Sequence, residues 1–102
     1  MSCVNTCFEC AAACFRCVNL TYANRETHDE PFPGTCIECA AICTTAGKVL
    51  AIDGAFASDV AAICADVCEW CAEQSERHGN PQCRELAGPA RACAGACRAY
   101  DH

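Results

Sequence analysis

Five cysteines open the chain at intervals of four, three, four and three residues: Cys3, Cys7, Cys10, Cys14 and Cys17. A residue type that recurs at alternating steps of three and four stays on one stripe of an α-helix, the stripe an amphipathic helix turns toward its neighbours. The beat returns three more times, as Cys36, Cys39, Cys43, Ala46 and Leu50, as Ala61, Cys64, Cys68, Cys71, Ser75 and His78, and as Cys83, Leu86, Ala90, Cys93, Cys97 and Tyr100. Four such stripes joined by short loops predict an all-α protein, an up-down-up-down antiparallel four-helix bundle with a cysteine-lined core. At 102 residues, positions 1–102 make one domain.

Local signals set the expected boundaries. Helix 1 runs from Ser2, a plausible N-cap, to Asn24, before a polar stretch from Arg25 to Gly34 that holds two prolines. Thr35 and Glu38 form a capping-box pattern for helix 2, which reaches Ile52 and stops at Asp53-Gly54. Helix 3 starts near Ser58, with Asp59 suited to the dipole of the first turn, and runs to Arg77-His78 with Gly79 as its C′ residue. Asn80-Pro81 then begins helix 4. Gly88-Pro89 falls inside that helix and should kink it without ending it, because the stripe keeps its register across the break.

Composition sharpens what the stripe means. The hydrophobic fraction of 53% includes 14 cysteines and 20 alanines, so large apolar side chains are few. Fully burying a large one is worth roughly 1.5–3 kcal/mol and an alanine much less, so a bound ion would add needed stability to a thin core. The formal charge of −6 argues against nucleic acid or anionic membranes as partners. No stretch approaches the roughly 18 apolar residues of a membrane span, and Met1-Ser2-Cys3-Val4-Asn5-Thr6 shows no export signal. The expectation is a cytoplasmic protein, in a compartment where clustered cysteines are metal ligands more often than disulfides.

Antiparallel neighbours place the stripes in space. Cys14, Cys17, Cys36, Cys39, Cys71 and Cys83 collect at a thiol-rich end, with His78 beyond Cys71 on the same stripe and His28 in the adjoining loop. At the other end Cys3, Cys7, Cys93 and Cys97 join helices 1 and 4. Helices 2 and 3 offer Ala46, Leu50, Ala57, Val60 and Ala61 there, which reads as a half-apolar plug. His78 is the first candidate ligand at the mouth and His28 the second, although a histidine at a helix C-terminus is also favoured by the dipole alone.

Five pairs have the form C-x-x-x-C: Cys3/Cys7, Cys10/Cys14, Cys39/Cys43, Cys64/Cys68 and Cys93/Cys97. Positions i and i+4 of a helix carry Cβ atoms roughly 5–6 Å apart, too far for the roughly 3.5–4.5 Å of an unstrained disulfide. Two thiolates from successive turns can instead grip one ion, and soft thiolates select soft ions, Cu(I) above all. Zinc is the competitor, but nothing in the linear spacing groups the cysteines into the fours of a structural zinc site. Free cysteine also serves as a small buried hydrophobe, a use that fourteen thiols in register outrun. Glu9, Glu38, Glu69, Glu73 and Glu76 avoid the stripes, which removes the inward carboxylates of a di-iron bundle. Tyr22 and Trp70 read as packing or interface residues.

The repeated pairs, among them Cys39-Ala40-Ala41-Ile42-Cys43, Cys64-Ala65-Asp66-Val67-Cys68 and Cys93-Ala94-Gly95-Ala96-Cys97, resemble the bacterial four-helix-bundle copper storage proteins over nearly the whole chain. The resemblance implies many Cu(I) ions bound along the core by cysteine thiolates, entry at one end near histidines, assembly into homotetramers and membership of the cytosolic branch. It implies storage or buffering, not enzymatic activity. Leu86 and Ala90, standing where further thiols would fit, imply a lower capacity than in longer relatives. Sequestration of zinc or a toxic metal, and a thiol redox sensor, remain as alternatives.

Overall fold

The structure, a computed structural model, describes residues 3–23, 32–77 and 81–100. The expected end of helix 1 at Asn24, the C′ role of Gly79, and the histidines His28, His78 and His102 lie outside the described residues. Helix α1 spans Cys3–Ala23, α2 Phe32–Ala51, α3 Ala57–Glu76, α4 Pro81–Arg84 and α5 Ala87–Arg98. The last two are halves of one broken helix, so the architecture is the four-helix bundle expected, with no strand among the described residues. α1 packs on α2, α2 on α3, α3 on α5 and α5 back on α1, a ring about an axis 42 Å long.

Every stripe faces inward. Cys7, Cys10, Cys14 and Cys17 are buried on α1, as are Cys36, Cys39, Cys43, Ala46 and Leu50 on α2. Ala61, Cys64, Cys68, Cys71 and Ser75 are buried on α3, and Cys83, Leu86, Ala90, Cys93 and Cys97 on the broken helix. Alanines flank the thiols, including Ala11, Ala40, Ala65, Ala72 and Ala94, so adjacent helices approach closely. Leu50 and Leu86 are the large aliphatic side chains of this core, while Phe8, Phe15, Ile37, Ile52, Phe56, Ile63 and Trp70 stay exposed. Two of the buried hydroxyls are satisfied within their own helices, Thr6 donating to the Cys3 carbonyl at 2.8 Å and Ser75 to that of Ala72 at 2.9 Å.

Two local expectations need correction, at the start of α2 and in the last helix. α2 begins at Phe32, so Thr35 lies buried in its first turn and is not the N-cap. Pro33 permits the early start, because the first amides of a helix need no intrahelical acceptor. α3 begins at Ala57, one residue ahead of Ser58, with Asp59 in the first turn as expected. The break in the last helix falls before Gly88-Pro89. Pro89 has no N–H to offer the Glu85 carbonyl, and its ring would crowd that oxygen. The chain tightens instead: Leu86 N–H bonds the Cys83 carbonyl at 3.1 Å and Gly88 N–H that of Glu85 at 3.3 Å, before Ala90 resumes the regular pattern on Leu86 at 3.1 Å. The turn is spent one step upstream, and Pro89 sits harmlessly in the first turn of α5.

The end of α2 follows the expected signal with a twist. Gly54 N–H bonds the Val49 carbonyl and Asp53 N–H that of Leu50, both at 3.1 Å, the paired bonds of a Schellman cap. Asp53, not Gly54, takes the left-handed position, at φ 49°. Gly47 matters for a different reason: a Cβ there would come within 2.7 Å of the Phe8 ring, which lies across it from α1. Outside, Arg98 holds α5 to α3 through Glu69 at 2.7 Å and Asp66 at 3.2 Å, and Arg91 reaches Glu76 at 2.7 Å. Exposed pairs of this kind add little to stability, because solvent screens them.

Candidate metal centre

Inward stripes on antiparallel helices interleave their sulfurs. Between α1 and α5, Cys3 lies 3.5 Å and Cys7 3.8 Å from Cys97, with Cys7 also 3.8 Å from Cys93. Cys93 meets Cys64 at 3.9 Å, and Cys64 meets Cys43 and Cys68 at 3.9 Å each. In the middle Cys43 and Cys68 are 3.4 Å apart, Cys68 is 4.0 Å from Cys10, and Cys39 is 3.9 Å from both Cys10 and Cys43. Toward the thiol-rich end Cys14, Cys39 and Cys71 converge, and Cys36 lies beside Cys17 and Cys71. Cys83 is buried on α4. All fourteen cysteines are free thiols.

Four sets of sulfurs lie within 4.8 Å of one another: Cys7, Cys64, Cys93 and Cys97; Cys43, Cys64, Cys68 and Cys93; Cys10, Cys39, Cys43 and Cys68; and Cys14, Cys39 and Cys71. A metal about 2.3 Å from each thiolate separates three coplanar sulfurs by about 4.0 Å and four tetrahedral ones by about 3.8 Å. The ladder is therefore already spaced for ions. Here the expectation from linear spacing is corrected, since folding does gather the cysteines into fours. Yet Cys39, Cys43, Cys64, Cys68 and Cys93 each belong to two sets. Closed four-coordinate sites cannot all be filled at once without sharing sulfurs, whereas ions content with two or three thiolates can occupy the row continuously.

The electrostatics ask for a cation. Arg16, Lys48, Arg77, Arg84, Arg91 and Arg98, the basic side chains among the described residues, are all exposed, while the thiols line the interior. Cys39, Cys64, Cys71 and Cys93 are held below the usual thiol range by S–H groups donated from neighbours, with Cys10 the largest influence on Cys39 and Cys93, Cys43 on Cys64 and Cys14 on Cys71. Cys14, Cys36, Cys43, Cys68 and Cys97 are pushed far above it, first by thiol hydrogen bonds that keep their protons in place and then by burial. Each set thus contains at least one sulfur ready as thiolate and others that give up a proton only when a cation replaces it.

A pH dependence follows for the metal-free bundle. Above about pH 8.5 the unfolded chain ionises its thiols, while the raised thiols of the fold stay protonated. The folded state then binds more protons, so stability falls with rising pH; the depressed thiols are ionised in both states and add no slope. Denaturant unfolding of reduced apo protein should show a loss of at least about 1.4 kcal/mol per pH unit in this range. A flat profile up to pH 10.5 would contradict the raised thiols.

A family model described as copper storage protein matches residues 1–102. The chain belongs to the copper storage protein family. Among curated relatives, an uncharacterized cysteine-rich protein of Bacillus subtilis (strain 168), YhjQ, is 33% identical over 101 residues, covering 95% of this chain and 91% of that protein. Among solved structures, the Cu(I)-bound copper storage protein BsCsp3 superposes with a TM-score of 0.85 at 31% identity, over 94% of this chain and 92% of that one. Apo-Csp3, copper storage protein 3 from Bacillus subtilis, gives 0.84 at 30% identity, over 95% and 93%. This copper storage family member thus has the fold of both a loaded and an empty relative.

The acidic residues expected at the surface, Glu9, Glu38, Glu69, Glu73 and Glu76, are all exposed, and Trp70 sits half out of the core. Missing from the sequence-based view is the contact between Tyr100 and Asp53, in which the tyrosine hydroxyl donates to Oδ1 across the end opposite the thiol-rich one. The carboxylate pushes the Tyr100 phenol up to about 12. A clue existed in the stripe, which carries Tyr100 in register one turn beyond Cys97. No helix among the described residues is long and apolar enough to cross a membrane.

Proposed function

We propose that this protein stores or buffers Cu(I) in the cytoplasm, many ions per chain, without catalysing a reaction. The observation that carries the proposal is the overlap of the thiol sets: Cys39, Cys43, Cys64, Cys68 and Cys93 each serve two. Such a row suits Cu(I), which accepts two or three thiolates and tolerates shared ones, and fourteen free thiols suit a reducing compartment. The ligands are Cys3, Cys7, Cys10, Cys14, Cys17, Cys36, Cys39, Cys43, Cys64, Cys68, Cys71, Cys83, Cys93 and Cys97, with His78 and then His28 at the mouth. Residues 1–102 act as one metal-binding unit. Family resemblance supports homotetramers, and the exposed Phe8 and Phe15 of α1 with Ile37 of α2 offer an apolar face for that assembly.

Anaerobic titration of the reduced protein with Cu(I), against a strong competing chelator, should show uptake of many equivalents before free ion appears. Uptake of only one or two would overturn the proposal. Zinc sequestration predicts instead that protein isolated after growth with both metals is filled with zinc and excludes copper.

A further inference from the structure

Cys3 is the one cysteine of the fourteen that is not buried. It opens α1, and its Sγ lies 3.5 Å from that of Cys97 near the end of α5. Cys97 in turn lines a surface cleft of about 300 Å³ with Ser58, Ala61, Arg98 and Tyr100. At this end, which the sequence marks as a half-apolar plug, the thiol ladder comes within reach of solvent.

From Cys3 inward the sulfurs form an unbroken row. The steps are 3.5 Å to Cys97, 3.8 Å on to Cys7, 3.8 Å to Cys93 and 3.9 Å to Cys64. Cys68 follows at 3.9 Å, Cys10 at 4.0 Å and Cys39 at 3.9 Å, where the row enters the thiol-rich half. An ion held by two or three thiolates moves along such a row by exchanging one sulfur at a time and never leaves thiolate coordination. One contact spans the outlet. Tyr100, packed against the core cluster, donates to Asp53 in the turn between α2 and α3, and Asp53 is held there in a left-handed conformation that a non-glycine residue rarely adopts.

We propose that Cys3 and Cys97 form a second exchange port for Cu(I), opposite the thiol-rich end, latched by the Tyr100–Asp53 contact. The proposal rests on the copper-storage function. The port hands Cu(I) to, or takes it from, a small thiol or a cysteine of a partner. On release, a bond forms from copper to the incoming sulfur as the bond to Cys3 Sγ breaks. Copper stays in the +1 state, and the proton lost by the incoming thiol passes to the Cys3 thiolate.

The test uses the full chain loaded with Cu(I), with release followed on adding excess glutathione together with a colorimetric Cu(I) chelator. Cys3→Ser should slow release by about tenfold or more, as loss of the first exchange step raises the barrier, with rates compared per bound ion because the substitution also removes one ligand. Tyr100→Phe, which removes the latch hydrogen bond, should speed release by up to about tenfold. Release from Cys3→Ser at the original rate would overturn the port, and an unchanged rate in Tyr100→Phe would overturn the latch. Failure of the storage function would look different, as low capacity in the unaltered protein itself. Limiting iodoacetamide on native apo protein gives a check independent of any variant. Peptide mapping should find Cys3 alkylated first, and first reaction at Cys17 or Cys36 would overturn the port.

Discussion

Loading with Cu(I) is expected to raise the thermal midpoint of this protein by about 20 °C or more, the largest effect of any single change of condition. A site occupied at a thousand times its dissociation constant adds about 4 kcal/mol to the folded state, provided the unfolded chain does not bind. In a domain of about 100 residues, each kcal/mol moves the midpoint by about 4–8 °C. Several filled sites therefore exceed 20 °C even after a generous allowance for binding by unfolded thiols. The apo bundle has little to set against this, with Leu50 and Leu86 as its buried large aliphatic side chains and cysteine and alanine filling the rest. Calorimetry of matched apo and loaded samples under anaerobic conditions measures the difference, and a shift of only a few degrees would mean that copper sits outside the core.

The architecture was legible because the stripe is a purely local signal. A three-four step states which face of each helix is buried, and Cys7, Cys43, Cys68 and Cys97 are indeed inside. The helix ends were less legible, because they turn on competition among nearby groups. At α2 the tolerance of a first turn for Pro33 outweighed the capping pattern of Thr35 and Glu38. In the last helix Pro89 exerted its effect at Glu85, four residues back, whose carbonyl takes its hydrogen bond from Gly88 N–H instead. The sets of four sulfurs were invisible for another reason. Each draws on three helices, as Cys7, Cys64, Cys93 and Cys97 show, so no interval along the chain encodes them. The exposure of Cys3 likewise depends on what the other helices leave uncovered.

Replacing Cys43 and Cys68 together by alanine is expected to remove more copper than replacing Cys14 and Cys71 together, although each double variant deletes two thiols. Cys43 and Cys68 each belong to two sulfur sets, whereas Cys14 and Cys71 each belong to one. Without the central pair, Cys10 with Cys39 and Cys64 with Cys93 remain as facing pairs, each at 3.9 Å. Those pairs still hold an ion apiece in two-coordinate fashion, so capacity falls without vanishing. Each substitution leaves a small void in a close-packed interior, worth about 1 kcal/mol, so both variants should keep the helical circular dichroism of the original. Competitive Cu(I) titration of the two variants side by side decides the matter. Equal losses would mean that each ion owns its ligands, and the ladder would be a set of separate sites. A larger loss from the central pair would establish sharing.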